Sequence, residues 1–296
     1  MMQNDSIAIL GEVLFDQLPD GQQVLGGAPF NVAWHLQAFK QAPFFISRIG
    51  HDALGEQICK AMHDWGMTTA GVQLDNEHPT GVVSVTLTDG EPSYQILDQQ
   101  AYDFIEASLL DTDVNYAIIY HGTLALRHLA GCKALAQLKA QHTGKVFVDV
   151  NLRAPWWQAA AVDTWLNDAN WLKLNEDELQ QLTPYASSLT AMMQNLIKRY
   201  DLEVLVVTLG ERGAVALTNT GELIETAPAL GLPIADTVGA GDAFAAVLLL
   251  GLMHGWPLDT MMTRAQQFAS ALVTQQGATV NNLSFYQPFI DDWQLN

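Results

Sequence analysis

Basic side chains are scarce in this chain. Thirteen lysines and arginines stand against thirty-two aspartates and glutamates in 296 residues, a formal net charge of −19. Such a field repels phosphate backbones and anionic membranes, so nucleic acid is not an expected partner, and most of the excess acid serves solvated faces and solubility. Cysteine is nearly absent. Cys59 and Cys132, each in a helix-like stretch without a CxxC partner, read as buried free thiols rather than as a disulfide or metal site. The longest apolar run, Ala243 to Met253, is too short to cross a bilayer, and the opening MMQNDSIAIL lacks the basic start of a signal peptide. No membrane partner and a cytoplasmic location are therefore expected.

Several catalytic signatures are missing as well. There is no GxxxxGK[ST], so a nucleotide is not held by a P-loop, and no HRD or DFG, which excludes a protein kinase. None of the eight histidines sits in HExxH or accompanies GxSxG, which removes support for zinc peptidases and α/β-hydrolases. In GAGDAF (239–244), Phe244 stands where a dinucleotide fingerprint wants Gly or Ala, so a dinucleotide-binding reading is poor.

What is present is a compact α/β pattern. Hydrophobic residues make up 49% of the chain, enough for one large domain with a small addition. Short apolar runs such as SIAILGEVLF, APFFIS, KVFVDVN, NWLKLN and LEVLVVTLG alternate with helical stretches such as FNVAWHLQAF, ALGEQICKAMHDWG and HLAGCKALAQLKA. That alternation predicts βαβ units and a mostly parallel central sheet with helices on both faces. GVVSVTLTDGEPSYQIL (81–97) instead alternates at period two around Asp89-Gly90, a hairpin with one face free to cover something. Residues 12–25 extend the same small sheet. The expectation is a single domain over 1–296 with a β lid formed from about 12–25 and 71–100, whose uncovered face suits a homodimer contact.

Polar residues cluster where such strands should end, which is where open α/β sheets bind ligands. GEVLFD ends strand one with Asp16, either a turn residue before Pro19 or a carboxylate suited to vicinal hydroxyls. QVLGGAPFNVA places Gly26 and Gly27 before a helix carrying Asn31, either a plain helix start or a close approach to a ligand. DVNLRAPWW supplies Asp149, Asn151 and Arg153, one of only six arginines, whose position favours an anionic ligand. NWLKLNEDEL carries Lys173, then Asn175 and Glu178. These last two either neutralise a helix dipole or hold Mg²⁺ through water. VVTLGERGA adds Thr208, Gly210 and Gly213, half of a phosphate loop at most.

The stretch DTVGAGDAFAA (236–246) runs a glycine turn into an apolar helix. Unpartnered amides and the helix dipole there suit an anion, so Asp242 is either a cap or a carboxylate held beside an anion site. The helix N-terminus is expected to keep Asp242 ionised.

Taken in order, GGAPFNVA with ISRIGHDALG, and DTVGAGDAF near the C-terminal end, resemble the ribokinase-like (PfkB) carbohydrate kinases over residues 7 to about 283. The resemblance implies a Rossmann-like domain with a β lid and ATP-dependent phosphorylation of a sugar or nucleoside hydroxyl with Mg²⁺. It makes Asp242 the catalytic base and the amides of Gly239, Ala240 and Gly241 the anion hole. It puts Asp16, Gly26, Gly27 and Asn31 on the sugar, Asn175 and Glu178 in the Mg²⁺ and phosphate network, and Thr208, Gly210 and Gly213 near the nucleotide. Asp236 and the segment around Gly277 fall near a monovalent cation, K⁺. Within the family, GGAPFNVA, DVNLRAPWW and PTG (79–81) look most like bacterial fructokinases, with ribokinase, 2-keto-3-deoxygluconate kinase and nucleoside kinase as alternatives. A non-catalytic sugar sensor is the reading of a different class. Phosphorylated sugars are disfavoured, because 71–100 contains no Lys or Arg, although Arg48 or Arg127 can reach in from outside it.

Overall fold

The computed structural model describes residues 6–295 apart from 89, 90, 112, 113, 115, 141, 187, 230 and 232, and gives only the backbone of 85–88 and 91–94. The expected Asp89-Gly90 turn thus lies outside the described residues. Strand β1 (Ile7–Leu10) is entirely apolar and entirely buried, the mark of a strand covered on both faces. Its odd residues, Ile7 and Ile9, enter one core and its even ones, Ala8 and Leu10, the other, as the period of two requires.

After β1 come β2 (Leu14–Gln17), β3 (Gln23–Gly26), helix α1 (Ala28–Ala38), β4 (Phe44–Gly50), α2 (Ala53–Asp64), β5 (Val72–Asp75) and the hairpin of β6 (Gly81–Thr88) and β7 (Glu91–Ile96). Next are β8 (Ile118–His121), α3 (Leu129–Lys139), β9 (Lys145–Asp149), α4 (Ala159–Leu166), β10 (Trp171–Asn175), α5 (Glu176–Leu182), α6 (Leu189–Tyr200) and β11 (Val204–Thr208). The chain closes with β12 (Ala214–Thr218), β13 (Leu223–Thr226), α7 (Ala240–His254), α8 (Leu258–Leu272) and α9 (Leu283–Trp293).

Among the described residues, nine strands form one sheet in the order β13-β12-β11-β10-β9-β8-β1-β4-β5. Every ladder in it is parallel except the two made by β12. Helices α1, α2, α7, α8 and α9 cover one face, and α3 to α6 the other. Residues 243–250 of α7 are each at most 2% exposed, because this helix is packed between α1 and α8. Burying each large apolar side chain there contributes roughly 1.5–3 kcal/mol. Among the described residues no helix is long and apolar enough to cross a membrane.

Strands β3, β2, β6 and β7 form a separate four-stranded sheet. Within it β2 pairs antiparallel with β3 but parallel with β6, so Asp16 lies opposite Val24 on one side and Val83 on the other. Three sequence expectations change here. Strand one stops at Leu10, and Asp16 belongs to β2 of the small sheet, because Gly11 packs on Pro29 and the chain turns away. Residues 72–75, expected in the lid, form β5 on the edge of the large sheet beside β4. Cys59 and Cys132 are free, as expected, but only half-buried.

Candidate active site

Two helices begin at the same place. Each is preceded by a glycine in a backbone region that side chains rarely adopt, Gly27 before α1 with φ 109° and Gly239 before α7 with φ 79°. Space is restricted as well. A Cβ on Gly27 would lie 2.6 Å from the carbonyl oxygen of Glu12, and one on Gly239 would lie 2.5 Å from the Cα of Ala278. Only glycine permits these approaches.

From α1, Asn31 donates from Nδ2 to Oδ2 of Asp242 in the first turn of α7, at 2.8 Å. Both residues are buried, and Oδ1 of Asn31 has no protein partner among the described residues. An acceptor is thus left over for a ligand hydroxyl. The N-cap of α7 is Gly239, and Asp242 stands in the first turn as its acidic residue. Burial pushes its carboxyl up to about 6, a rise reinforced by Asp149 and opposed by the Asn31 hydrogen bond, Lys173 and Arg153. Burial is the largest influence on this carboxyl, yet at about 6 it is still mostly ionised at neutral pH. The Ala240 amide bonds to the Thr237 carbonyl at a long 3.4 Å.

Below this turn, the carboxyl ends of β9 and β10 carry a buried ion pair, Lys173 Nζ to Asp149 Oδ2 at 2.8 Å. A Cβ on Gly241 would lie 3.5 Å from that ammonium, which brings a positive charge under the amides opening α7. Oδ1 of Asp149 is buried without a hydrogen-bond partner among the described residues.

Asp16 is half-buried, with Oδ2 3.7 Å from where a Cβ on Gly26 would stand. Burial raises its carboxyl and the charge of Arg153 opposes the rise. Arg153 is exposed and in no ion pair among the described residues, yet its charge acts on Glu12, Asp16 and Asp242 together. Arg48 and Arg127, by contrast, are committed elsewhere, to Asp75 and Glu106 and to Asp103. Glu12 was not anticipated. It follows the first strand's end, is fully buried, and burial lifts its carboxyl to about 7. Its Oε2 is unpartnered among the described residues. A charged residue directly after an all-apolar strand was the available signal.

The remaining predicted residues sit around this centre or apart from it. Asn175 and Glu178 form a reciprocal capping box at the start of α5, with Glu178 also accepting from the Leu152 amide at 2.8 Å. Burial raises the Glu178 carboxyl. Thr208 ends β11 beside Asn175. In the turn that follows, Gly213 abuts the Thr226 carbonyl, whereas Gly210 faces open space, so packing explains one glycine and not the other. Asp236 and Gly277 do meet: Asp236 accepts from the amides of Gly277 and Val238, each at 3.0 Å, and from Gln276 at 3.3 Å. Among the described residues, Glu178 and Asp236 belong to no group of three or more side chains that could hold a metal ion. Among the described residues the only cluster of that kind is Asp98, Asp103 and His128, where Arg127 already holds both oxygens of Asp103.

The family model for pfkB carbohydrate kinases matches residues 5–284. The chain belongs to that family. It is accordingly a sugar kinase, a phosphotransferase. The kinase is 30% identical to the fructokinase of Klebsiella pneumoniae over 311 aligned positions, covering 98% of this chain and 99% of the relative. Its fold is that of the fructokinase of Xylella fastidiosa with bound ATP, with a TM-score of 0.84, 22% identity and coverage of 99% and 100% of the two chains. It also matches the aminoimidazole riboside kinase of Salmonella enterica, complexed with aminoimidazole riboside and an ATP analogue, at a TM-score of 0.83 and 23% identity over 98% and 100%. A fructokinase and a riboside kinase thus match this fold about equally well.

Proposed function

We propose that this kinase transfers the γ-phosphoryl group of ATP to D-fructose, with Asp242 as the base. The observation that carries the reading is the buried Asp242, raised to about 6, held by Asn31 in the first turn of α7. A carboxylate with that pKa is mostly ionised at neutral pH yet basic enough to accept a hydroxyl proton as the oxygen attacks phosphorus. Gly239, Ala240 and Gly241 present the start of the helix to the transferring phosphoryl oxygens, and Lys173 lies beneath them as a nearby cation. As the new O–P bond forms, the bond to the leaving ADP breaks and the proton passes to Asp242. Asp16, Gly26, Gly27 and Asn31 orient the sugar, and Arg153 meets an anionic group. Fructose is favoured over ribose by Ala28-Pro29-Phe30 after the glycine pair and by the Klebsiella relative.

Thr208, Gly210, Gly213 and Gly277 border the nucleotide in this reading. Glu178 keeps a lone pair on each oxygen beyond its backbone partners, and Mg²⁺ retains several waters, so the residues fit an ion held through its water shell. Bound there, Mg²⁺ would neutralise charge on the phosphates. Asp236 offers a monovalent cation one free lone pair on Oδ1, which accepts only from Val238, whereas Oδ2 already accepts from both Gly277 and Gln276. The small sheet, closing over the sugar, would exclude water and limit ATP hydrolysis.

The test is ADP release with Mg²⁺ and ATP against fructose, ribose, glucose, 2-keto-3-deoxygluconate, adenosine and fructose 6-phosphate. Turnover on fructose that is lost in Asp242→Asn supports the proposal. Preference for ribose or adenosine overturns the acceptor, and no turnover on any of them favours a sensor.

A further inference from the structure

Helix α1 holds a second polar group on the face that carries Asn31. One turn further along, His35 is fully buried, with Nε2 3.1 Å from the Ala278 carbonyl oxygen and Nδ1 3.0 Å from the Tyr286 hydroxyl. A carbonyl only accepts, so Nε2 bears the hydrogen, and Nδ1 is left as an acceptor facing the Tyr286 hydroxyl, whose single hydrogen also has the Val280 carbonyl within reach at 3.3 Å. Burial drives the imidazole down to about 3, and the ring is neutral at working pH. A neutral buried histidine is commonly a packing residue; what distinguishes this one is the far side of Ala278. The Cα and Cβ of Ala278 press on Gly239, each 2.5 Å from where a Cβ would stand. On either side, Gly277 donates to Asp236 at 3.0 Å and Trp34 donates to the Val280 carbonyl at 3.2 Å. The 277–280 segment is pinned from α1 at two points and seated against the turn that opens α7.

We infer that His35 is a positioning residue for phosphoryl transfer: its Nε2–H bond to Ala278 holds the 277–280 segment against Gly239 and so sets the direction of the Gly239–Gly241 amides relative to Asp242. The inference rests on reading that turn as the phosphoryl site. One rigid helix then orients both halves of the machinery, the base through Asn31 and the amides through His35, by residues spaced i and i+4 on one face.

Two substitutions separate the two bonds of the ring. His35→Gln keeps a donor where Nε2 stands and loses the acceptor, whereas His35→Asn keeps an acceptor near Nδ1 and loses the donor. The expected result is kcat within about threefold of wild type for His35→Gln and about tenfold or more lower for His35→Asn, since small misplacements of reacting groups cost up to about 10²-fold. Sugar KM stays within about twofold in both, because Asn31 is untouched. Equal kcat in the two variants, or losses that follow melting temperature rather than the donor, overturn the inference. Ala278→Val supplies a check that leaves His35 intact: it crowds Gly239 and is expected to lower kcat at unchanged sugar KM, and a wild-type kcat overturns the inference as well. Asp242→Asn runs alongside. If it is inactive while His35→Gln and His35→Asn match, the inference about His35 fails alone; if it turns over normally, the reading of the site fails and takes this inference with it.

Discussion

Asn31 and Asp242, 211 residues apart in sequence, meet side chain to side chain at 2.8 Å and tie the first turns of α1 and α7 together. The bond favours the charged form of Asp242, against a burial penalty that is larger. Activity should follow that balance. The expected kcat/KM for the sugar rises with pH through an apparent pKa of about 6 and levels off above it. Replacing Asn31 with Leu removes a contribution that lowers the pKa, so the inflection moves upward. Rate profiles from pH 5 to 9 check both, and an inflection that stays put or moves down would sink the assignment.

Asp242→Asn keeps the shape and removes the proposed base. The expected loss is roughly 10²- to 10⁴-fold in kcat with little change in either KM. Steady-state kinetics in both substrates decide this, and turnover like wild type refutes the role.

Asp16 lies in β2 of the small sheet, and in the proposed reading it binds the sugar rather than the phosphoryl group. Asp16→Ala is expected to weaken sugar binding by about 1 to 3 kcal/mol, roughly 5- to 150-fold in KM, with kcat less affected. An effect confined to the KM for ATP would place Asp16 at the wrong end of the cleft.

Stability should also depend on pH through Glu12. Its folded carboxyl is raised by burial from 4.5 to about 7, so the folded state binds the proton more tightly than the unfolded chain does. Its contribution is fully present below about pH 4.5 and is lost as pH rises to 7, by up to about 3 kcal/mol. Asp242 shifts in the same sense, whereas Asp52 and Asp75 are lowered, and they lose stability only toward more acidic pH. Chemical denaturation at pH 5 and pH 8 should show the wild type weaker at pH 8 and Glu12→Gln with a smaller difference. An identical difference in both proteins would remove Glu12 as the source.

Much of this was legible in the sequence, for identifiable reasons. The buried strands announced themselves because a strand covered on both faces has no polar positions, as in IAIL of β1 and VLVV of β11. The turn before α7 was legible because its glycines answer local demands, a positive φ at Gly239 and the close passage of Ala278. Pairings made across the fold were not. Nothing near Lys173 in sequence says that Asp149, 24 residues earlier at the end of the preceding strand, will neutralise it, and nothing near Asp242 predicts how dry its surroundings become. Asp16 was assigned to the wrong strand because Gly11, Glu12 and Val13 look like a continuation of β1, and only packing against Pro29 turns the chain aside.

The parallel pairing of β2 with β6 has a mechanical meaning. The first and third strands of the small sheet leave the main body at separate points, one between β1 and α1 and the other after β5, and each pair returns to it. The sheet is therefore stitched on by four crossings rather than hung from one hinge. Any displacement of the sheet has to be accommodated at both pairs of crossings.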